Sequence, residues 1–231
     1  MLKELTIVLP LHNKAHIIED TIKQISKSDL YNICEIIVVE NESTDHSYKK
    51  IKEIQNNYLN VLDIKLFKSK KGKGNAIRTA IPKIKYDWCW ITGADLPFGF
   101  TDLQEAINDQ FASDAYLGSK SHPQSKIKRK KSRKIYSSIF FWTRKILLKL
   151  HYKDTHGSIV VKTNKLKSIS SLLTQEHFFI DTEIVLKLHE LNLKIIEVPV
   201  KLINEDSLST VKPIKDGFKM LYQTLKTSIK N

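Results

Sequence analysis

Apolar residues in the N-terminal half of the chain gather in short unbroken runs, and between the runs they recur every three or four positions. Leu5-Thr6-Ile7-Val8-Leu9 is the first run, a polar loop follows at 10–14, and Ile17, Ile18, Ile22 and Ile25 then mark one face of a helix. The pattern predicts strand, loop, helix. It repeats with Ile36-Ile37-Val38-Val39, after which residues 41–45 supply turn and cap residues before a second helix that runs to about residue 57. Residues 61–67 read as a third strand, 75–84 as a third helix after the break at Lys71-Gly72-Lys73-Gly74, and Trp88-Cys89-Trp90-Ile91 as a fourth strand. Continuously apolar strands, each followed by a helix, belong to a parallel sheet covered on both faces, and such sheets bind ligands at the carboxyl ends of their strands. The expected fold class is α/β.

After Tyr116-Leu117-Gly118 the alternation stops. A helix is predicted over 133–150, a strand over 157–161, a helix over 180–191, a strand over 194–200 and a terminal helix over 214–229. The expected organisation is one domain over residues 1–231 with two halves, 1–118 and an α+β half at 119–231.

Hydrophobic residues at 41% and charged residues at 27% exclude a disordered chain, and neither a repeat nor a low-complexity tract is present. The two cysteines, Cys34 and Cys89, sit beside strand-like runs, which fits packing in a reducing compartment. Without a signal-like N-terminus or the roughly 20 consecutive apolar residues of a spanning helix, a cytoplasmic location is expected. Charge changes this picture. Of a net +13, nearly all arises between residues 115 and 153, where twelve Lys and Arg occur and no Asp or Glu. Such a block implies an anionic partner: nucleic acid, phospholipid or a phosphorylated substrate.

Candidate chemistry lies in the loops at strand ends. Pro10-Leu11-His12-Asn13-Lys14 and Glu40-Asn41-Glu42-Ser43-Thr44-Asp45 bring polar groups together where a nucleoside could lie. Ser43 or Thr44 would serve equally as a helix cap, with Asp45 beside the dipole. Lys71-Gly72-Lys73-Gly74-Asn75-Ala76 sets two ammonium groups and flexible backbone at a helix start, which suits anionic oxygen but lacks the ending of a Walker loop. A plain surface turn is the competing reading. In Gly93-Ala94-Asp95-Leu96-Pro97 a single carboxylate ends the aromatic strand, able to ligate Mg2+ or Mn2+ with substrate phosphates or to bond its own loop.

In this order the four segments resemble family 2 glycosyltransferases, nearest the dolichyl- or polyprenyl-phosphate mannose and glucose synthase-like branch, and the resemblance covers almost the whole chain. Pro10 to Lys14 resembles the family's P-x-Y-N-E, Val39 to Asp45 its V-D-D-G-S-T-D, Gly72 to Ala76 its G-K-G-x-A, and Gly93-Ala94-Asp95 its D-x-D. Gly118-Ser119-Lys120 resembles G-S-R, Arg133 to Ser137 resembles R-x-x-x-S, and Asp154-Thr155 the D-T before a strand. Ile180 to Val185 and Glu197 to Val200 resemble F-D-x-E-L-L and E-V-P-V. The resemblance implies a GT-A fold, with a Rossmann-like nucleotide-sugar-binding half and an acceptor- and membrane-facing half. It also implies inverting transfer from a UDP- or GDP-sugar to polyprenyl or dolichyl phosphate, or to a glycan intermediate. Pro10, Leu11, Asn13, Glu40, Asn41, Ser43, Lys73 and Gly74 would hold the donor, Asp95 would meet metal and diphosphate, and Lys120 and Arg133 would meet phosphates. Three positions depart from the pattern: Gly93 replaces the first Asp of D-x-D, Lys14 replaces the Glu of the first loop, and Glu42 replaces the Gly of the second. Lys14 would partly replace a cation if it points inward.

Ile135, Ile139, Trp142, Ile146 and Leu150 recur at helical spacing among Lys134, Arg144, Lys145 and Lys149, behind the charge run at 126–131. This is a basic amphipathic helix, read either as a core helix or as an interfacial element on anionic lipid, where each basic residue contributes about 1 kcal/mol. Peripheral association with the cytoplasmic face of a membrane is the expectation, with a membrane-protein partner a further option. An ionised phosphate acceptor needs no general base; a sugar hydroxyl does, and Asp154, Asp181 and Glu183 are then the candidates, each equally placed to cap or to pair with a helix dipole. Two other classes compete with an active transferase. A catalytically silent relative that recruits partners is favoured by Gly93, and a nucleic-acid-binding module rests on the basic residues interleaved with Tyr136, Phe140, Phe141 and Trp142; nucleic acid is not the expected partner.

Overall fold

The computed structural model describes residues 4–30, 34–127, 131–203 and 213–230, with the side chains of 131–134, 213–216, 218 and 230 outside the description. Seven strands, β1 (Leu5–Leu11), β2 (Cys34–Glu40), β3 (Asp63–Lys68), β4 (Trp88–Ile91), β5 (Ala115–Ser119), β6 (Ile159–Lys162) and β7 (Ile195–Pro199), form one sheet in the order β3-β2-β1-β4-β6-β5-β7. β6 is antiparallel to both its neighbours, β4 and β5, while every other pairing is parallel. The mostly parallel α/β sheet expected from the apolar runs is met, and it continues without a break from the first half of the chain into the second.

Alternation along each strand divides the core into two layers. Leu5, Ile7, Leu9, Ile36, Val38, Trp88 and Trp90 face one side, under α1 (Ile18–Ser26), α2 (Ser47–Asn57) and α4 (Thr101–Asn108). Val8, Ile37, Val39, Cys89 and Ile91 face the other, under α3 (Lys73–Ala80), α6 (Thr163–Ser168) and α7 (Ile180–Glu190). α5 (Lys131–Leu147) and α8 (Pro213–Lys230) pack against one another at the edge of this second layer. The helix expected at 75–84 ends at Ala80, because Pro82 cannot continue it and the chain tightens into a 3-10 turn over Ile81–Lys83. α4 and α6 are not among the expected helices: α6 has a single apolar position, Leu166, and the helical spacing of Leu103, Ala106 and Ile107 in α4 spans little more than one turn. Packing specifies α4 instead: Trp90 Nε1 donates to the buried Asp102 carboxylate at 2.7 Å.

α5 is inverted relative to a core helix. Phe140 and Leu147 pack inward and Arg144 is almost fully buried, its guanidinium donating to the carbonyls of Tyr152 (3.2 Å) and Lys153 (3.3 Å) and stacking on Phe140. Ile135, Ile139, Trp142 and Ile146 meanwhile stand 49–71% exposed. The stripe expected either to enter the core or to meet a membrane is not in the core; of its members only Leu150, beyond the helix end, is buried.

Candidate active site

The carboxyl ends of β1, β2 and β4 and the start of β6 converge on a cavity of about 1430 Å³. Pro10, Asn13, Asn41, Lys73, Asp95, Lys120 and Glu183, all expected site residues, line it. His12, Lys14, His156, Ser158, Glu176 and His177 join them, as do Lys219, Tyr222 and Lys226 of α8.

Hydrogen bonds knit the first two loops together. Asn13 N–H donates to Ser43 Oγ (3.1 Å), Thr44 N–H to Asn13 Oδ1 (2.7 Å), Lys14 N–H to Ser47 Oγ (2.9 Å) and Ala15 N–H to Asp45 Oδ2 (3.1 Å). Asn13 and Glu42 both take left-handed backbone, at φ 51° and 54°, a conformation that suits Asn and that Glu adopts at a cost. Here the structure differs from the sequence expectation. Glu40 and Ser43, placed on the nucleoside by resemblance, do not line the cavity and brace the loop: one Glu40 carboxylate oxygen accepts Ser43 N–H, and the Ser43 hydroxyl oxygen accepts Asn13 N–H. Leu11 is fully buried in the core.

The glycine-rich turn is likewise a structural clamp. Gly74 and Asn75 N–H groups donate to the Glu176 carbonyl at 2.8 and 3.2 Å, so these first amides of α3 are taken by protein rather than left for an anion. Gly74 is required for that approach, since a Cβ there would stand 2.1 Å from the Gln175 carbonyl oxygen. Lys73 reaches across to Asp181 Oδ2 at 2.6 Å.

The three carboxylates expected as general bases are all engaged. Glu183 accepts the Thr174 N–H and hydroxyl and the Gln175 N–H, holding the loop before α7. Asp154 accepts the Lys120 and His156 N–H groups, each at 3.0 Å, with the Lys120 ammonium at 3.3 Å. Burial opposes ionisation of Asp154, but the Lys120 charge and these N–H groups outweigh it and hold the carboxyl at about 2. Burial also opposes ionisation of Asp181, and Lys73 and His156 outweigh it there too, so its pKa lies below the ordinary value. His156, which the sequence reading passed over, stacks on Phe140 and places Nδ1 3.8 Å from Asp181 Oδ2; burial, only partly offset by Asp181 and Asp154, lowers its pKa and favours the neutral ring. Arg133 lies in α5, and its side chain is outside the described residues.

Asp154 carries a pH prediction. With its folded pKa at about 2 against an ordinary 3.8, its contribution is full above the ordinary value and is lost as pH falls through the folded one. The difference corresponds to about 2 kcal/mol. Asp154→Asn is expected to be less stable than wild type at neutral pH by about that amount, with the gap closing between about pH 4 and about pH 2 in urea titrations. A gap unchanged across that range would remove the ionised clamp from the account.

Asp95 lies opposite this group. Its Oδ2 accepts from the Lys14 ammonium at 2.9 Å, with side chains only 16% and 12% exposed. Leu96 beside it is held at φ 40°, a strained setting for a branched residue of the kind found at functional sites. The residues fit a resident divalent ion poorly. Asp95 is the one carboxylate on the loop after β4, it already carries an ammonium group, and no cluster of three or more His, Cys, Asp or Glu able to hold a metal occurs among the described residues.

Residues 6–174 match the sequence profile described as glycosyl transferase family 2. No curated protein matches the chain in sequence. Among solved structures, S. aureus TarS 1-349 is similar with a TM-score of 0.61 at 16% identity, over 99% of this chain and 66% of that one. Glucosyl-3-phosphoglycerate synthase from Mycobacterium tuberculosis, in complex with Mn2+, UDP and phosphoglyceric acid, is similar with a TM-score of 0.69 at 13% identity, over 98% of this chain and 77% of that one. TarS 1-349 is also known in complex with UDP-GlcNAc, at a TM-score of 0.58 and 19% identity, over 99% of this chain and 67% of that one. The chain thus spans about two thirds of the TarS fragment, and the expected GT-A architecture is met.

Proposed function

Because the chain belongs to glycosyl transferase family 2 by a match over residues 6–174, we propose that it transfers a sugar from a UDP- or GDP-sugar to a polyprenyl phosphate at an anionic membrane surface, by inverting displacement. The observation that carries this reading is the double role of α8. Lys219, Tyr222 and Lys226 line the cavity, while Tyr222, Leu225 and Ile229 stand 64%, 49% and 85% exposed on the same helix, which packs against α5, the helix that carries the exposed apolar stripe. An acceptor with an anionic head and a long apolar tail matches both features at once. Lys71, Lys219 and Lys226 at the cavity have no ion-pair partner among the described residues and suit the head; the apolar faces suit the tail and the lipid around it. No described helix is long and apolar enough to cross a membrane, so the association in this reading is peripheral.

The engaged carboxylates agree with this acceptor. A phosphate oxygen ionised near neutrality attacks without a base, so positioning and leaving-group stabilisation remain as the work of the protein. Occupied as they are, Asp154, Asp181 and Glu183 would serve a hydroxyl acceptor poorly. Donor binding is supported by the lining of Pro10, Asn13 and Asn41 at the ends of adjacent parallel strands, and by the UDP held in the mycobacterial synthase.

UDP- and GDP-sugars labelled in the sugar should be offered with polyprenyl phosphate in detergent and, separately, with soluble sugars. Label is expected in the organic phase with the lipid phosphate alone. Label on a soluble sugar would overturn the acceptor assignment. Donor binding without any transfer would support the second reading, a silent relative, which Gly93 in place of an acid favours.

A further inference from the structure

Removing a leaving group with two phosphates calls for positive charge beside it, commonly a divalent ion held by carboxylates. In this cavity that place is differently built. Asp95 is present but lies against the Lys14 ammonium at 2.9 Å, and position 93 is glycine. The glycine leaves room that Asp95 uses: an ideal Cβ at Gly93 would stand 2.6 Å from Asp95 Oδ1 and 3.3 Å from Pro97 Cδ. A side chain added at 93 therefore requires the Asp95 carboxylate to shift from the position in which it meets Lys14. Lys14 is anchored from both ends, its N–H on Ser47 Oγ at 2.9 Å and its ammonium on Asp95. Lys14, Gly93 and Asp95 all line the cavity, beside Asn13 and Asn41. An ammonium group has three donors, so one bond to Asp95 leaves two for other oxygens.

We propose that this protein binds the diphosphate of its donor without a divalent ion, and that the Lys14 ammonium, oriented by Asp95, supplies the positive charge a metal would otherwise bring. The proposal rests on the donor reading above and deepens it. In the transfer, the bond from the sugar's anomeric carbon to the β-phosphate oxygen breaks with its electron pair left on that oxygen, while an acceptor phosphate oxygen donates a pair to the same carbon. Lys14 stabilises the charge that collects on the departing diphosphate. Asp95 is a positioning residue: its carboxylate fixes where the ammonium stands.

The test is calorimetric binding of the nucleoside diphosphates of uridine, guanosine, adenosine, cytidine and thymidine, first in EDTA and then in Mn2+ or Mg2+. For wild type, at least one nucleotide should bind in EDTA, with affinity changing less than about threefold on adding metal. Lys14→Ala should weaken binding in EDTA by about tenfold or more and make binding respond to Mn2+, since the Asp95 carboxylate is then rid of its ammonium. Lys14→Arg should retain metal-free binding. Lys14→Gln, which keeps the stem of the side chain, repeats the test should the alanine variant not fold. Wild-type binding that appears only with metal overturns the proposal and leaves the donor reading standing, as does metal-free binding that survives Lys14→Ala and Lys14→Gln unchanged. No binding of any nucleotide under either condition overturns the donor reading, and the proposal with it.

Discussion

Replacing Lys73 with alanine is expected to destabilise the protein by about 3–5 kcal/mol, because it strands the Asp181 carboxylate in the interior. Asp181 is 2% exposed, its Oδ2 is held by Lys73 at 2.6 Å, and its buried Oδ1 has no hydrogen-bond partner. Burial alone would raise its pKa; Lys73 first and His156 second reverse that. Without Lys73 the burial effect gains the upper hand, and the folded state comes to favour the protonated acid. A group whose pKa is raised by folding contributes stability at low pH and loses it as pH rises. The deficit of Lys73→Ala should therefore widen as pH rises above the ordinary carboxylate value of 3.8, with a fall in melting temperature on the order of 10 °C at neutrality for a chain of this size. Lys73→Ala combined with Asp181→Asn should recover much of the loss. Strict additivity of the two changes, measured by denaturant unfolding, would contradict the pairing.

Strand positions were legible because the physics is local: a run such as Ile36-Ile37-Val38-Val39 buries alternate residues in two separate layers, and only a covered parallel sheet uses apolar residues on both faces. Motif order was legible for a related reason, since each polar loop follows a strand and parallel strands end together. What escaped was the use made of the polar atoms within those loops. Glu40 and Ser43 are polar, close in sequence and at a strand end, yet the bonds they make here brace the loops themselves. Nothing in one-dimensional spacing separates a side chain that faces a ligand from one that faces its own backbone.

Long-range pairing was hidden in the same way. Lys73 and Asp181 are 108 positions apart, and Lys14 and Asp95 are 81 apart. Departure from the family's pattern was the available signal for the second pair: a lysine gained at 14 and an acid lost at 93 occur on loops that the sheet order makes neighbours. For His156 the signal was its place directly after Asp154-Thr155, at the start of a strand whose antiparallel direction turns this end toward the cavity. That direction was not readable beforehand. α5 shows the converse limit, for its periodicity was plain while the face it presents depended on a buried arginine that binds the Tyr152 and Lys153 carbonyls.

Exposure of that apolar face leads to the second large effect. Ile139, Trp142 and Ile146 stand 49%, 52% and 71% exposed, so the triple change to serine removes side chains on which the fold depends little, and the melting temperature should move by no more than about 5 °C. Binding to vesicles of anionic phospholipid is another matter. Burying the exposed remainder of each side chain in the lipid interface is worth about 1 kcal/mol, so losing three should weaken binding by about 100-fold. The basic run at 126–131, of which Lys128, Arg129 and Lys130 lie outside the described residues, should add a salt-sensitive share, and Lys128, Arg129, Lys130 and Lys131 changed together to serine should lower binding at low salt more than at high salt. Leu225→Ser with Ile229→Ser on α8 should weaken binding in the same direction as the changes on α5. Co-sedimentation with anionic and neutral vesicles at two salt concentrations, beside sedimentation velocity without lipid, decides the matter. Vesicle binding that persists in the triple variant would sink the membrane assignment, and a wild-type dimer that the triple variant dissolves would reassign the face to a second copy of the chain.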